Sequence, residues 1–587
     1  MIEVELPALL SRGLAFEIWL KINMCGIAGI LSKNGQDVVP LVGSMLYCMV
    51  NRGPDGGGLV ADGQIIKSDS ISSMGLQLQK VSGRSVLGHT RLAIVGGTCG
   101  AQPFCSCDGR IVLEHNGEIY NYKRIRERLV RHHKFTTITD SEVIVHLIED
   151  HLRKNSLLGA LKKTVAELDG IYVLAIEDKK TGEIVLVRDR IGVRQLYYAD
   201  TSKFVAFASE RKALWKIGIR EPTRCILPGS AVIISRDGRL QSFQVADPIP
   251  QKTKIMHRTM ASAVEEYKKA LVEAMEKRTQ DFQRIGIIFS GGIDSVLIAY
   301  LAAKMVPEVI CYTCGVSGSS DIAYARQIAD RLSLKLKICE LNQDEVEKLV
   351  PEVMNVIEDN NAGQVEVALP VYSAVRLARQ DGIKVMLTGQ GADELFGGYP
   401  WYAKVAEKEG YKMLRKHMIE DLLLLYKETL EREDKITMAH SIELREPFLD
   451  PEVIRVALAT SLRLNVRSGH DSFGKHVHRK LAQSLGIPKD IAYRMKEAAQ
   501  HGSGMHRMLD AIARKHGFND STIPHNYLEE LKMRERIGSS QRYGYLFGDE
   551  KIWIAEPHMQ MYLDNILKKL TQFELVAIQE KSGNFAA

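Results

Sequence analysis

The sharpest switch in hydrophobic pattern lies near the middle of the chain. Arg284-Ile285-Gly286-Ile287-Ile288-Phe289 is a short apolar run rich in β-branched residues, and Val296-Leu297-Ile298-Ala299-Tyr300-Leu301-Ala302-Ala303-Lys304 is a longer run of apolar helix formers. Between them stands Ser290-Gly291-Gly292-Ile293-Asp294-Ser295. The order predicts strand, loop and helix. Two glycines allow close backbone approach and positive φ, the first helical turn offers unpaired N–H donors, and Ser290 and Ser295 add hydroxyls. These groups suit phosphate. Asp294 repels phosphate unless a divalent cation lies between them, so the loop implies a metal-bridged polyphosphate. A Walker A loop is excluded, because it needs a lysine after its second glycine and a longer spacer.

Strand and helix patterns then alternate: a strand over Val309 to Cys314, a helix from Asp321 to Leu332, a strand from Lys335 to Cys339, helices from Asp344 and near Val371 to Arg379, and a strand from Lys384 to Thr388. Such βα repetition predicts an α/β domain with a doubly wound parallel sheet, whose ligands lie at the carboxyl ends of the strands. The last of these strands opens into Gly389-Gln390-Gly391-Ala392-Asp393. Asp393 supplies a second carboxylate at the rim that carries Asp294, and with phosphate oxygens the pair makes a Mg²⁺ site. Upstream, a helical pattern through about residue 277 feeds the central strand, and Asp247-Pro248-Ile249-Pro250 reads as a connector.

At 587 residues the chain needs more than one core. A net charge of +6 without a long basic run argues against nucleic acid as a partner. No apolar run reaches the roughly 18 to 20 residues of a membrane span, and Asp421-Leu422-Leu423-Leu424-Leu425-Tyr426 reads as a buried helix. Nine scattered cysteines point to a reducing, hence cytoplasmic, compartment. Cys105-Ser106-Cys107, with Cys99 nearby, lacks a second pair or a histidine partner and reads as surface thiols. Cys311 and Cys314 fall on opposite faces of their strand. Residues 1–23 do not resemble a signal peptide, since Glu3, Glu5, Pro7, Arg12 and Glu17 interrupt any basic start or apolar core. They read as a removed leader, or as residues ahead of a true start at Met24.

Met24-Cys25-Gly26-Ile27-Ala28-Gly29-Ile30 begins a strand-like segment. On its own residues Cys25 has two readings: a buried cysteine opening a strand, or a terminal nucleophile whose own α-amine, with a reference pKa of about 7.7 to 8.0, serves as base. Asn51-Arg52-Gly53-Pro54-Asp55, His89-Thr90-Arg91, Asn116-Gly117-Glu118-Ile119-Tyr120-Asn121, Thr139-Asp140-Ser141-Glu142 and Arg188-Asp189-Arg190-Ile191-Gly192 follow in order. Over about residues 24 to 215 this set resembles the glutaminase domain of class II amidotransferases. The resemblance implies an α+β four-layer N-terminal-nucleophile fold in which Cys25 attacks the glutamine amide, with Asn116 and Gly117 forming the oxyanion hole. Arg91 then holds the substrate carboxylate, and Glu118 and Asp140 its ammonium. A blocked amine cannot act as base, so the resemblance also implies that a chain retaining residues 1–23 has no glutaminase activity.

The central loop resembles that of the ATP pyrophosphatases. With the 389–393 loop, Glu443-Leu444-Arg445-Glu446-Pro447-Phe448-Leu449-Asp450 and Arg494-Met495-Lys496-Glu497, residues 260 to 510 resemble the synthetase domain of glutamine-hydrolysing asparagine synthetases. The resemblance implies ATP and Mg²⁺ as cofactors. Ser290, Gly291, Gly292 and Ser295 cradle pyrophosphate, Asp294 and Asp393 hold the metal, Val316 and Gly389 flank the nucleoside, and Lys496 neutralises phosphate charge. The expected reaction is adenylation of a small carboxylic acid, most simply L-aspartate, and amide formation with ammonia from glutamine. Two departures bear on the acceptor: Gln390 stands where the family has glutamate, and Glu366 where it has arginine. A glutamine cannot accept a proton, which leaves Glu394, Glu358 or a phosphate oxygen to do so. The other readings are the same chemistry on another carboxylate, a bare glutaminase, or a non-catalytic scaffold. The expected domains are 24–235 and 261–510, joined by a linker over 236–260, with 511–587, including a helical stretch from Tyr527 to Arg536, as a packing or homodimer element.

Overall fold

The structure, a computed structural model, describes residues 25–569 apart from 54, 69–70, 92–99, 220–222, 250–252, 468, 470, 496 and 539–555. Its first half is two antiparallel sheets packed face to face. One runs Arg224–Cys225, Tyr197–Asp200, Phe204–Ala208, Gly26–Ser32, Ser85–Thr90, Gly57–Ala61 and Gln64–Ser68 from edge to edge. The other runs Leu240–Gln244, Ser230–Ile234, Glu183–Arg188, Gly170–Asp178, Ile111–Ile119 and Phe104–Cys105. The period of two builds the layers. In Gly26–Ser32, Ala28 and Ile30 pack with residues of helices Val39–Cys48 and Arg211–Lys216, while Ile27 and Leu31 meet Val112, Val173 and Leu186 of the facing sheet. Leu113 and Leu174 on the far side of that second sheet pack against helices Glu142–Leu152 and Leu157–Glu167. Helix, sheet, sheet and helix form the four expected layers.

The second half is built on five parallel strands in the order Lys335–Leu341, Glu308–Val316, Arg284–Ile288, Val385–Leu387 and Glu443–Arg445. Arg284–Ile288 is first in the chain yet central in the sheet. The winding therefore reverses beside it, and the crevice between Arg284–Ile288 and Val385–Leu387 is where such sheets take ligands. Helices Met260–Thr279 and Ile293–Met305 cover one face, and Gln343–Ile357 and Ala362–Gln380 the other. Cys311 lies in the first of these cores and Cys314 in the second, on opposite faces as expected. Asp421 lies in the helix Tyr411–Leu425 and is buried with Leu422 and Leu425. Among the described residues no helix is long and apolar enough to cross a membrane.

Four details differ from the sequence expectation. Glu443–Arg445 is a fifth strand, unrecognised because it is three residues long and two of them are charged. The helix expected near Val371 begins at Ala362 and carries Pro370 in its interior, a residue that ordinarily marks a break. The hairpin Ser230–Ile234 with Leu240–Gln244 extends the first half beyond residue 235. Residue 510 is no boundary either: helix Met505–Lys515 runs through it, and Met559, Tyr562 and Leu563 complete a core with Leu509 and Ile512. The helix His525–Gly538 contains the stretch expected to be helical.

The halves share a buried, charged seam. Asp434 accepts from Arg52 at 3.1 Å and from Arg194 at 2.8 Å, with all three side chains 1–2 % exposed. Lys435 lies 2.8 Å from both Glu358 and Glu431, and Arg211 also pairs with Glu431. Each charge is matched, as burial at that depth requires.

Candidate active sites

The amino-terminal site is a cleft of about 450 Å³, open to solvent and lined by Cys25, Arg91, Gly100, Gln102, His115, Asn116, Gly117, Glu118, Asp140, Arg194 and Glu443 among others. Cys25 sits at the head of the strand Gly26–Ser32, and its carbonyl accepts from Arg52 Nε at 3.2 Å. Opposite, Ile111–Ile119 presents Asn116 and Gly117. Asn116 Nδ2 is buried with no hydrogen-bond partner among the described residues, a donor placed for an acceptor. Gly117 has φ +150°, and a Cβ there would lie 2.0 Å from the Ile171 carbonyl oxygen, so only glycine fits. A Cβ on Gly100 would lie 2.6 Å from the Arg91 guanidinium, so a side chain there would have to displace Arg91. Asp140 accepts from the Ile119 N–H at 2.9 Å. Burial pushes its carboxyl up to about 6 against that hydrogen bond, with Glu443 adding to the rise. Burial, reinforced by Glu443 and opposed by Arg445, holds Glu118 well above the usual carboxylate range. His89 and His115 are buried and pushed down to about 3, which leaves neither a useful base. The cleft brings together Cys25, Arg91, Asn116, Gly117, Glu118 and Asp140 as the sequence suggested.

The carboxyl-terminal site surrounds the loop between Arg284–Ile288 and Ile293–Met305. Gly291 has φ +69°, and a Cβ would lie 3.2 Å from both the Ala325 nitrogen and Arg494 Nη1. Gly292 caps the helix, with its N–H 3.3 Å from Ser290 Oγ, and Ser295 Oγ donates to the Gly292 carbonyl at 3.0 Å. Gly389 packs backbone against backbone here: a Cβ on it would meet Asp294 Cβ at 2.8 Å and the Ser295 nitrogen at 3.2 Å. Val316 ends the neighbouring strand, and its N–H donates to the Ser503 carbonyl at 2.9 Å. Arg494 reaches the Ser290 carbonyl at 3.3 Å, whereas Lys496 falls outside the described residues.

A different lysine occupies the centre. Lys475 Nζ lies 2.7 Å from Asp294 Oδ2 and 2.7 Å from Asp393 Oδ1, with its side chain 2 % exposed. Burial opposes its charge, but the two carboxylates outweigh burial and hold it more firmly protonated than an ordinary lysine. Burial likewise opposes ionisation of Asp294, and Lys475 with His478 overcomes it, holding the carboxyl far below its usual range. His478 Nε2 is 3.2 Å from Asp294 and its Nδ1 is 2.8 Å from Tyr267 Oη. Lys475 sits at φ +51°, a left-handed backbone that a lysine adopts only at a cost, directly after Gly474 at φ +56° and at the head of helix His476–Ser484. Gly474-Lys475 ahead of an apolar helical pattern was the available signal in the sequence. The convergence of Asp294 and Asp393 on one cation, with oxygen donors only, suits Mg²⁺ as well as an ammonium.

The departures have partners. Gln390 donates its amide to Glu433 Oε1, and Glu433 Oε2 is buried without a hydrogen-bond partner among the described residues. Burial raises the Glu433 carboxyl, with Arg432 acting against it. Glu366 is buried and lies 3.1 Å from His506 Nδ1. Glu358, suggested as a proton acceptor, is instead locked to Lys435 and to the N–H groups of Arg211 and Lys212. Glu394 accepts from Tyr399 Oη at 2.6 Å. One strand bears on both halves: Glu443 lines the amino-terminal cleft and Arg445 lies 3.5 Å from Glu118, and both belong to the strand beside Val385–Leu387.

A four-layer fold opening on a cysteine-headed strand, fused to a parallel sheet with a glycine-rich phosphate loop, defines a two-domain glutamine amidotransferase with a nucleotide-using partner domain. A glutamine amidotransferase domain profile matches residues 24–223, and an asparagine synthase profile matches 266–412 and 403–564. A putative glutamine-hydrolysing asparagine synthetase of Methanocaldococcus jannaschii is 35% identical over 555 residues, spanning 87% of this chain and 99% of that protein. Asparagine synthetase B of Escherichia coli is 27% identical over 504 residues, spanning 82% and 83%. A probable asparagine synthetase of Schizosaccharomyces pombe is 28% identical over 526 residues, spanning 83% and 86%. The chain belongs to the glutamine-hydrolysing asparagine synthetase family, a group of carbon–nitrogen ligases.

Proposed function

We propose that the protein uses ATP to adenylate L-aspartate and converts the acyl-adenylate to L-asparagine with ammonia from glutamine, releasing AMP and pyrophosphate. One observation carries this reading: the strand Glu443–Arg445 belongs to the nucleotide-domain sheet and also walls the glutamine cleft. Ammonia released at Cys25 thus starts one strand away from the 389–393 loop. The short route matters, because ammonium formed in bulk water is no nucleophile.

In this reading Cys25 Sγ attacks the glutamine amide carbon, and the oxyanion receives the Asn116 Nδ2–H and Gly117 N–H donors. The C–N bond breaks to release ammonia, and water cleaves the glutamyl thioester to free glutamate and the thiol. Arg91 pairs with the substrate carboxylate, and Asp140 with Glu118 receives its ammonium. With both nearby histidines neutral, the α-amine of a Cys25 terminus is the base. At the second site the helix that begins at Ile293 and the Ser290 and Ser295 hydroxyls cradle pyrophosphate, and Lys475 neutralises charge developing on the phosphates. Asp294 and Asp393 would hold Mg²⁺, which would supply positive charge to offset that of the phosphates. Ammonia then attacks the acyl carbon. A C–N bond forms, the bond from carbon to the AMP oxygen breaks, and the surplus proton passes to Glu433.

The chain is incubated with glutamine, ATP and single candidate acids while pyrophosphate and amide are measured. Release that depends on aspartate supports the assignment, and equal release without it removes aspartate. A second reading keeps the chemistry with another carboxylate acceptor, favoured by the Glu366–His506 pair in place of a cationic side chain.

A further inference from the structure

Away from both sites, four side chains from three separate segments converge at the outer layer of the amino-terminal half. Cys107 lies in the turn between Phe104–Cys105 and Ile111–Ile119, His133 follows helix Tyr122–Leu129, and His146 and Glu149 stand one turn apart on helix Glu142–Leu152. Their donor atoms all lie within 4.8 Å of one another. Cys107 Sγ is 3.5 Å from His133 Nδ1 and 3.7 Å from His146 Nδ1, and Glu149 Oε2 is 3.1 Å and 3.2 Å from the same two nitrogens. A tetrahedral ion with metal–ligand bonds of roughly 2.0 to 2.3 Å has its donors roughly 3.3 to 3.6 Å apart. The four separations given, 3.1 to 3.7 Å, lie within about 0.2 Å of that range. We propose that Cys107, His133, His146 and Glu149 form a structural Zn²⁺ site.

The surroundings agree with that role. His133 Nε2 lies 2.8 Å from Asp150 Oδ1, and a proton held there turns the Nδ1 lone pair toward the centre of the cluster. A carboxylate behind a ligating imidazole is the usual support of a zinc histidine. His133 and His146 side chains are 0% and 2% exposed. Without a cation, the bare Nδ1 of His133 would face the Glu149 carboxylate lone pairs. A thiolate, a carboxylate and two neutral imidazoles balance one divalent ion, and four protein ligands leave no open position, which marks a structural site and not a catalytic one. Cys107 is exposed, so the ion has a way in. The exposure of Cys107 agrees with the sequence reading of a surface thiol, but its histidine partners, 26 and 39 positions downstream, were not visible from the Cys-x-Cys spacing. The ion would tie the turn leading into the strand of Asn116 and Gly117 to the helix that starts just after Asp140.

The test uses the whole chain purified under reducing conditions, loaded with Zn²⁺ and dialysed. Elemental analysis is expected to find one zinc per chain, falling by at least about tenfold in Cys107→Ser and His146→Ala. Replacement by Co²⁺ in the wild-type chain is expected to give a thiolate-to-cobalt charge-transfer band, absent in Cys107→Ser. The cobalt spectrum is read on an unaltered chain and so does not depend on how the variants fold. A wild-type chain that retains no zinc and shows no such band overturns the proposal, as does a Cys107→Ser chain that keeps full zinc and the same band.

Discussion

Gln390 donates its side-chain amide to the buried carboxylate of Glu433, on the loop that faces the phosphate cradle. The carboxylate missing from position 390 therefore stands one hydrogen bond further back. Glu433→Gln is expected to slow amide formation by about a hundred- to ten-thousand-fold, the range for losing a positioned proton acceptor, with pyrophosphate release much less affected. The exchanged pair Gln390→Glu with Glu433→Gln restores one carboxylate and one amide and is expected to recover activity. If the double variant is as slow as Glu433→Gln alone, proton acceptance is not what Glu433 does.

Lys475 lies between the two carboxylates that suit the metal, so its loss should act on ATP alone. Lys475→Met is expected to lower pyrophosphate release by about a hundred- to a thousand-fold, the scale of one preorganised charge at a reacting phosphate. Glutamine hydrolysis measured on the same preparation should persist. Loss of both activities would point to a folding defect instead.

Burial, with Glu443 adding to it, pushes the Asp140 carboxyl up to about 6 in the cleft. Binding the glutamine ammonium needs it ionised, so the KM for glutamine should rise as the pH falls through about 6. Asp140→Asn should raise KM about ten- to a hundredfold at neutral pH, from the loss of a charge-assisted hydrogen bond of roughly 1.5 to 3 kcal/mol, and flatten the pH profile. A profile that keeps its acid limb in the variant assigns the titration elsewhere.

Glu446 is pushed up to about 8 from its ordinary 4.5 by burial, which Arg194 and Arg278 only partly offset. The folded chain holds this proton more tightly than the unfolded chain. The stability it contributes is full below pH about 4.5 and is lost as the pH rises through about 8, at roughly 1.4 kcal/mol for each pH unit crossed between those limits. Denaturant melts of the wild type and Glu446→Gln at pH 6 and 9 check this. The wild type should lose stability relative to the variant by on the order of a few kcal/mol, and a constant difference would contradict the buried, protonated state.

The amine mechanism makes a demand on the chain terminus. Intact-mass spectrometry of glutaminase-active protein should show Cys25 as the first residue. An active protein that still carries residue 1 would refute the free amine as base.

Much of the fold was legible because period and motif agreed: an apolar run, a glycine pair and a helical run made the phosphate loop plain, and the motifs around Asn116 and Asp140 line one cleft, as the family resemblance implied. What escaped reading depended on partners distant in sequence. Lys475 is a single lysine until Asp294 and Asp393 fold around it, and Glu433 is one acid in Glu431-Arg432-Glu433-Asp434-Lys435 until Gln390 reaches it. Lys496, taken from its motif, falls outside the described residues, although Arg494 beside it touches the loop.

The strand Glu443–Arg445 has an outcome for the chain's modularity. Excising the amino-terminal half would strip Glu118 of Arg445, and would strip Arg52 and Arg194 of Asp434 while opening their seam to water. Such a fragment inherits the nucleophile but forfeits the floor of its own pocket, so neither half is a spare part that recombination can pass to another enzyme unchanged.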